Sequence, residues 1–336
     1  VTRTEEDPVS ENPEQRRRLA VALTGAQVLD AVQTPELWRR LHDTGVAYVV
    51  IGIDRLVDDA AWDGPGIDGS IAATYLADDT TGATLITAAA HRDHPYNLAR
   101  RVASSDHLSG GRTGVLLGRR DVLAPDDRGE ARAWSGARLT DGGPLAPATT
   151  RNAAEALRAL WLSWPADTIV ADRETGIYAL SDRILQVSHT GVFASAGPLT
   201  VPTTAQGAPV LAWYAADAAD LAAAEGVAEL LIISDALAAA GEIADAWTLS
   251  TVDLDAGSLT ELVLSETVRE AAGDVVIRTT APLARIVETL EQARRQDAFP
   301  AVTGTTLRER LGIDAPLALE ISDDIVPAFA AARATR

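Results

Sequence analysis

The feature that most constrains this chain is a repeated alternation of short apolar runs with helix-like segments. The runs are Leu19–Leu23, Tyr48–Ile51, Thr84–Thr87, Gly114–Gly118, Pro209–Trp213, Glu229–Ile233, Ala246–Val252 and Asp274–Ile277. A strand wetted on one face alternates apolar and polar residues. A run that stays apolar must be covered on both faces, the condition of a parallel sheet flanked by helices. Helix signals fill the gaps: Pro35–Thr44 between Thr34 as N-cap and Gly45 as stop, Ile67–Ala77, Pro95–His107 closed by Ser109-Gly110-Gly111, and Asn152–Trp161. Four more follow: a helix through Ala224, Asp235–Ala240, Ser258–Ala271 and Pro282–Arg295. Pro opens several of them, where its missing N–H costs nothing, and Gly closes others. About eight strands with intervening helices predict an α/β chain folded as a (β/α)8 TIM barrel rather than an open sheet. The rhythm breaks after the fourth strand. Residues 119–149 are rich in Gly, Pro and Asp and read as a long loop, and 172–206 as an irregular excursion. The expected organisation is a polar lead at 1–17, a barrel over 18–313 and a tail at 314–336.

Composition narrows the function. Acidic residues number 48 against 29 basic ones, a formal charge of −19. Such a chain repels nucleic acid and anionic membranes, and the run Arg16-Arg17-Arg18 lies in the polar lead. The absence of Cys excludes disulfides, thiolate nucleophiles and Cys-ligated metal centres. Every basic residue is Arg, so Schiff-base chemistry, pyridoxal phosphate anchoring and a phosphate-loop lysine are excluded too. No apolar run approaches the ~18 residues of a membrane span. The acidic start does not read as a signal peptide, and the expected location is cytoplasmic.

In a barrel, chemistry sits at the C-terminal ends of the strands. Asp54 follows the second strand and is a candidate site carboxylate. The segment His91-Arg92-Asp93-His94 follows the third, and His91 and His94 are candidates for proton transfer; no second ligand cluster supports a metal. Arg119 and Arg120 follow the fourth and are candidates for an anion. Asp106-His107 ends a helix at the opposite face, where a His meets the negative end of the helix dipole. Gly64-Pro65-Gly66-Ile67-Asp68-Gly69 has the spacing of a dinucleotide loop. It lies well past its strand and has Pro inside the turn, so it reads as a loop entering a helix.

Residues 94–112, HPYNLARRVASSDHLSGGR, resemble a segment of luciferase-like flavin monooxygenases, in the nitrilotriacetate and dibenzothiophene-sulfone branch. Leu160–Trp164, Gly197–Pro202 with Gln206–Val210, and Thr306–Gly312 agree in order, so the resemblance spans residues 18–313. It implies a barrel with an insertion after strand 4. The implied activity is oxidation of a small organic molecule with O2 and reduced FMN, the flavin being supplied by a reductase, in a homo-oligomer, expected as a dimer. Carried over by position, the cofactor-binding places are Asp54, Ala90, Leu116, Arg119 and Arg120. Asp54 keeps the family's Asp. The family's Thr becomes Ala90, and its flavin-lining Asn and Thr become Leu116 and Arg119. The His-xxx-Tyr pair falls near Gly143 and Pro147, and no His or Tyr lies between Leu108 and Leu160. The Gly/Ser phosphate loop becomes Tyr214-Ala-Ala-Asp217-Ala-Ala-Asp220. At about 5 Å, each carboxylate repels a phosphate by on the order of several kcal/mol.

Two readings remain open from the sequence. One is an FMN-dependent monooxygenase whose flavin contacts are rebuilt, with Arg119 or Arg120 on the phosphate and His91 or His94 moving protons. The other is a flavin-free pseudoenzyme or partner subunit that keeps the barrel. A metal-dependent hydrolase on the same barrel is a third.

Overall fold

The structure is a computed structural model, described here for residues 17–57, 66–78, 81–122, 145–241, 246–251 and 274–329. The helix expected at 258–271, and Gly143, Gly64 and Pro65, lie outside the described residues.

The chain opens with β1 (Leu19–Leu23), α1 (Gly25–Gln33), α2 (Pro35–Asp43), β2 (Val49–Ile51), α3 (Gly69–Leu76), β3 (Thr84–Ala89), α4 (Pro95–Ser109), β4 (Thr113–Gly118) and α5 (Pro147–Leu162). A hairpin of β5 (Leu185–His189) and β6 (Ser195–Ala196) follows. The barrel then resumes with β7 (Val210–Ala215), α6 (Ala218–Ala224), β8 (Leu230–Ser234), α7 (Asp235–Ala240), β9 (Ala246–Thr251) and β10 (Val275–Arg278). Helices α8 (Leu283–Arg295) and α9 (Leu307–Leu311) precede a last strand, β11 (Ile325–Pro327). Eight parallel strands close in the order β1-β10-β9-β8-β7-β4-β3-β2, so the expected (β/α)8 barrel with an insertion between β4 and β7 is the observed fold.

The apolar runs hide a period of two. Leu116 packs inside the barrel with Val50, Leu85, Ala212 and Tyr214. Its neighbours Val115 and Leu117 pack outward with Leu98, Val102, Leu157 and Trp161. Each strand is buried on both faces, which is why its sequence shows no polar alternation. The outward layer under α1, α2 and α8 is built from Trp38, Leu41, Val49, Ile51, Ile86 and Leu290.

Two features depart from the sequence reading. Helix α1 was not expected; Thr24 and Gln27 form a reciprocal capping box at its start, and Pro35 opens α2 so soon afterwards that the pair reads as one connection. The excursion also has order of its own. In β5, Leu185 and Val187 are buried while Gln186 and Ser188 are exposed, the pattern of a one-sided sheet. Strand β11 pairs with it antiparallel, so Ile325–Pro327 of the expected tail joins the insertion sheet.

The base of the barrel is held by buried ionic groups. Arg308 of α9 donates from Nη2 to both oxygens of Glu229, at 2.9 and 3.0 Å, and also donates to the carbonyls of Ala208 and Asp314. Asp106 accepts from the Thr113 amide and from Gln206 Nε2. Gln206 in turn accepts from the Arg308 amide. The segments carrying the resemblance around Asp106, Gln206 and Arg308 thus meet at the face opposite the mouth.

Candidate functional site

Asp54 sits in a short 3-10 turn after β2, entered through Gly52 at φ 78°. A Cβ at Gly52 would lie 3.1 Å from Thr87 Oγ1, so the turn needs both the left-handed backbone and the missing side chain. Asp54 is 1% exposed, and both its oxygens accept from the Gly25 amide at 3.0 Å. Burial raises its pKa, and the Gly25 N–H and the Arg55 charge oppose that rise. Above it lies a cavity of about 210 Å³ lined by Gly25, Gly52, Asp54, Arg55, Gly66, Ile67, Gly69 and Thr87. The Gly66–Gly69 stretch is therefore a cavity wall. Asp68 caps α3 by accepting from the Ser70 and Ile71 amides, so two of the first donors of that helix are taken by its own cap.

Arg55 Nη2 bonds Asp121 at 2.7 Å and Asp93 at 3.4 Å, and its Nη1 donates to the Thr87 carbonyl. Arg101 bonds the other oxygen of Asp93 at 2.8 Å. This network ties β2, β3, α4 and the start of the insertion together. Neither it nor Thr87 was singled out in the sequence; the signal was available as charged residues placed just past successive strand ends.

The two candidate histidines occupy different settings. His91 is 2% exposed, and its Nδ1 lies 2.9 Å from the Arg119 carbonyl. A carbonyl only accepts, so Nδ1 carries the proton. His94 is the N-cap of α4, its Nδ1 accepting from the Tyr96 amide, and its ring meets Phe193 edge-on at 6.1 Å between centroids. Burial lowers the pKa of both rings. Ala90 is fully buried against Ala153 and Phe193, so the methyl that replaces the family's Thr packs beside the tip of the β5–β6 hairpin.

The β4 end is where the resemblance places flavin. Leu116 faces the barrel interior, and Leu117 faces the helices. Leu56 packs over Gly118, whose Cβ would come within 2.6 Å of Leu56 Cδ2. Arg119 reaches across to α6, with Nη2 2.8 Å from Asp217 and 3.8 Å from Asp220. Arg120 is exposed.

The resemblance places the family's phosphate loop at the start of α6. Asp217 accepts from the amides of Ala219 and Asp220, and Asp220 accepts from the amide of Ala216. These amide hydrogen bonds and Arg119 hold the Asp217 pKa down, whereas burial pushes that of Asp220 up. The two carboxylates occupy the N–H groups that a phosphate would need. They face Arg119 and their own helix rather than an open anion site. Among the described residues, this donor set does not fit the FMN phosphate. Those residues hold no cluster of three metal-ligating side chains and no helix long and apolar enough to cross a membrane.

The barrel with its insertion after the fourth strand defines a class, and the relatives define the family. Over 267 residues the chain is 32% identical to one of the subunits of pristinamycin IIA synthase from Streptomyces pristinaespiralis, covering 78% of this chain and 83% of that protein. Over 126 residues it is 32% identical to N-acetyl-S-(2-succino)cysteine monooxygenase of Bacillus subtilis, but spans 27% of that protein. The solved structure of a long-chain alkane monooxygenase superposes with a TM-score of 0.68 at 13% identity, covering 89% of this chain and 96% of that one. No protein-family model matches the chain. The chain belongs to the luciferase-like flavin-dependent monooxygenase family, in the branch that includes the nitrilotriacetate and dibenzothiophene-sulfone enzymes.

Proposed function

We propose that this chain is a flavin-free partner subunit of a luciferase-like monooxygenase, keeping the family barrel and leaving the flavin to a companion chain. The observation that carries the reading is the start of α6, where Asp217 and Asp220 accept from the amides of Ala216, Ala219 and Asp220 while Arg119 pairs with both carboxylates. A dianionic phosphate there would meet two carboxylates and no open donor among those amides, a repulsion on the order of several kcal/mol. Leu56 over Gly118 supports the same reading from the ring side. So does the name of the long relative, a synthase subunit. The exposed side chains of Ile71 and Tyr75 on α3 and Leu108 on α4 offer an apolar face for docking. In this reading O2, the organic substrate and reductase-derived FMNH2 react on the companion, and Asp54 is retained for a purpose other than holding flavin.

The test is a titration of the purified chain with FMN, oxidised in air and reduced under anaerobic conditions, followed by calorimetry. The expected result is no saturable binding of either form up to about 1 mM, where binding is worth only ~4 kcal/mol. Micromolar binding by the chain alone overturns the proposal. Loss of that binding in Arg119→Ala would then support the rebuilt enzyme.

A further inference from the structure

The cavity over Asp54 presents a buried carboxylate. The side-chain donors that line it are engaged elsewhere. The Gly25 N–H is shared between both oxygens of Asp54. The Thr87 hydroxyl lies 2.8 and 2.9 Å from the carbonyls of Ile51 and Gly52, so its proton is directed into the backbone. Arg55 turns its Nε and Nη2 to Asp121, Nη2 also to Asp93, and Nη1 to the Thr87 carbonyl. Acceptors remain: the further lone pairs of the Asp54 carboxylate and those of Thr87 Oγ1.

The charges point the same way. Asp93 and Asp121 surround Arg55, Arg101 bridges Asp93 to Asp68, and Arg92 lies 3.9 Å from Asp121. Among the described residues these arginines bond Asp93, Asp121 and Asp68, and none bonds Asp54. The buried carboxylate is held by backbone N–H groups alone, those of Gly25 and of Asp54 itself, which leaves lone pairs for a charged partner. The wall at Gly25 is close to the carboxylate, and a side chain there would crowd it. A Cβ at Gly25 would lie 3.4 Å from Asp54 Oδ2 and 3.3 Å from Gly66 Cα. The volume of about 210 Å³ corresponds to roughly seven waters at ~30 Å³ each.

We infer that this slot is a binding site for a small organic cation, a primary ammonium or amidinium group seated on Asp54 with its hydrogens shared to Thr87 Oγ1. The inference rests on the flavin-free reading, which the FMN titration tests separately from the cation titration. The cation's donors complete the carboxylate shell, its short carbon chain lies along Ile67, and a neutral isostere gains far less because it brings no charge to Asp54.

The probe is propylammonium chloride, with propanol as its neutral counterpart, titrated into the full chain by calorimetry at constant ionic strength. A ligand this small is held in the millimolar range at about 1–1.5 kcal/mol per heavy atom. The expected outcome is saturable binding of propylammonium and none of propanol. Asp54→Asn should weaken it at least ~10-fold, the worth of a charge-assisted hydrogen bond. Gly25→Ala keeps the charge but narrows the slot, and should weaken binding to a similar degree; it also tests the site if Asp54→Asn fails to fold. No binding to the unmodified chain at about 100 mM, where specific association would be negligible, overturns the inference. Equal binding of propanol overturns it as well, and so does unchanged affinity in a folded variant.

Discussion

Acid should destabilise this protein through one buried ring. His42 lies in the last turn of α2, 6% exposed, edge-on to Trp38 at 4.4 Å between centroids. Neither ring nitrogen has a hydrogen-bond partner. Burial, with Arg310 and Arg112 nearby, pushes its pKa down from 6.5 to about 3. Between these values the unfolded chain binds a proton that the folded chain refuses, so stability is greatest above the unfolded pKa and falls as pH falls. Each pH unit in that window is worth about 1.4 kcal/mol. From pH 7 to pH 5 the loss from this single group is therefore about 2 kcal/mol. The perturbation is His42→Leu, close in volume and without a titrating group. Urea unfolding followed by tryptophan fluorescence at pH 7, 6 and 5 gives the stability of both proteins. His91, His94 and His189 also have lowered pKa values, but they are common to both proteins and cancel in the difference. The gap between the two should shift by about 2 kcal/mol in favour of the variant between pH 7 and 5. Curves that stay parallel within ~0.5 kcal/mol, the usual additivity error, refute the reasoning.

Other outcomes follow from the same geometry. Arg308→Ala strips Glu229, whose side chain is 15% exposed, of its cation. It should cost about 3–5 kcal/mol in urea unfolding, the worth of breaking a buried pair from one side; a loss under ~1 kcal/mol would mean that water replaces the guanidinium. Leu56→Ala empties the mouth over Gly118 and should cost about 2–4 kcal/mol, read as a lowered denaturation midpoint with unchanged m-value. Asp217→Ala uncaps α6 and should cost about 1 kcal/mol. An unchanged midpoint would show that the Ala219 and Asp220 amides find other partners.

The resemblance was carried by segments whose structural work is at the base. Asp106, Gln206 and Arg308 hold β4, β7 and α9 together there. They announce the frame and say nothing of chemistry at the mouth. The mouth departs from the family in side chains that the chain uses for itself. Arg119 was legible as a strand-end cation and Asp217 as a carboxylate at the phosphate-loop position, but their pairing links residues 98 positions apart. His94 was read as a candidate for proton transfer, and the structure places it as the cap of α4. Leu56 gave no signal at all, because an apolar residue after a strand is ordinary until the position it fills is known.

The sequence by itself determined the architecture. Its continuous apolar runs, spaced by capped helices, can be covered on both faces only in a parallel α/β arrangement, and eight of them close. It also determined which chemistries the chain lacks the residues to perform. Only the tertiary structure decided what the strand-end charges do. Local pattern fixes which way a strand or helix faces, because burial acts through the period of the element. Whether a carboxylate meets a phosphate, a guanidinium or an empty slot depends on groups brought within 3–4 Å from distant parts of the chain: Arg119 against Asp217, and Asp54 beneath Gly25 with the cavity open above it. Hydrogen bonds and ion pairs of this kind act over a few ångströms, and linear spacing holds no information at that range.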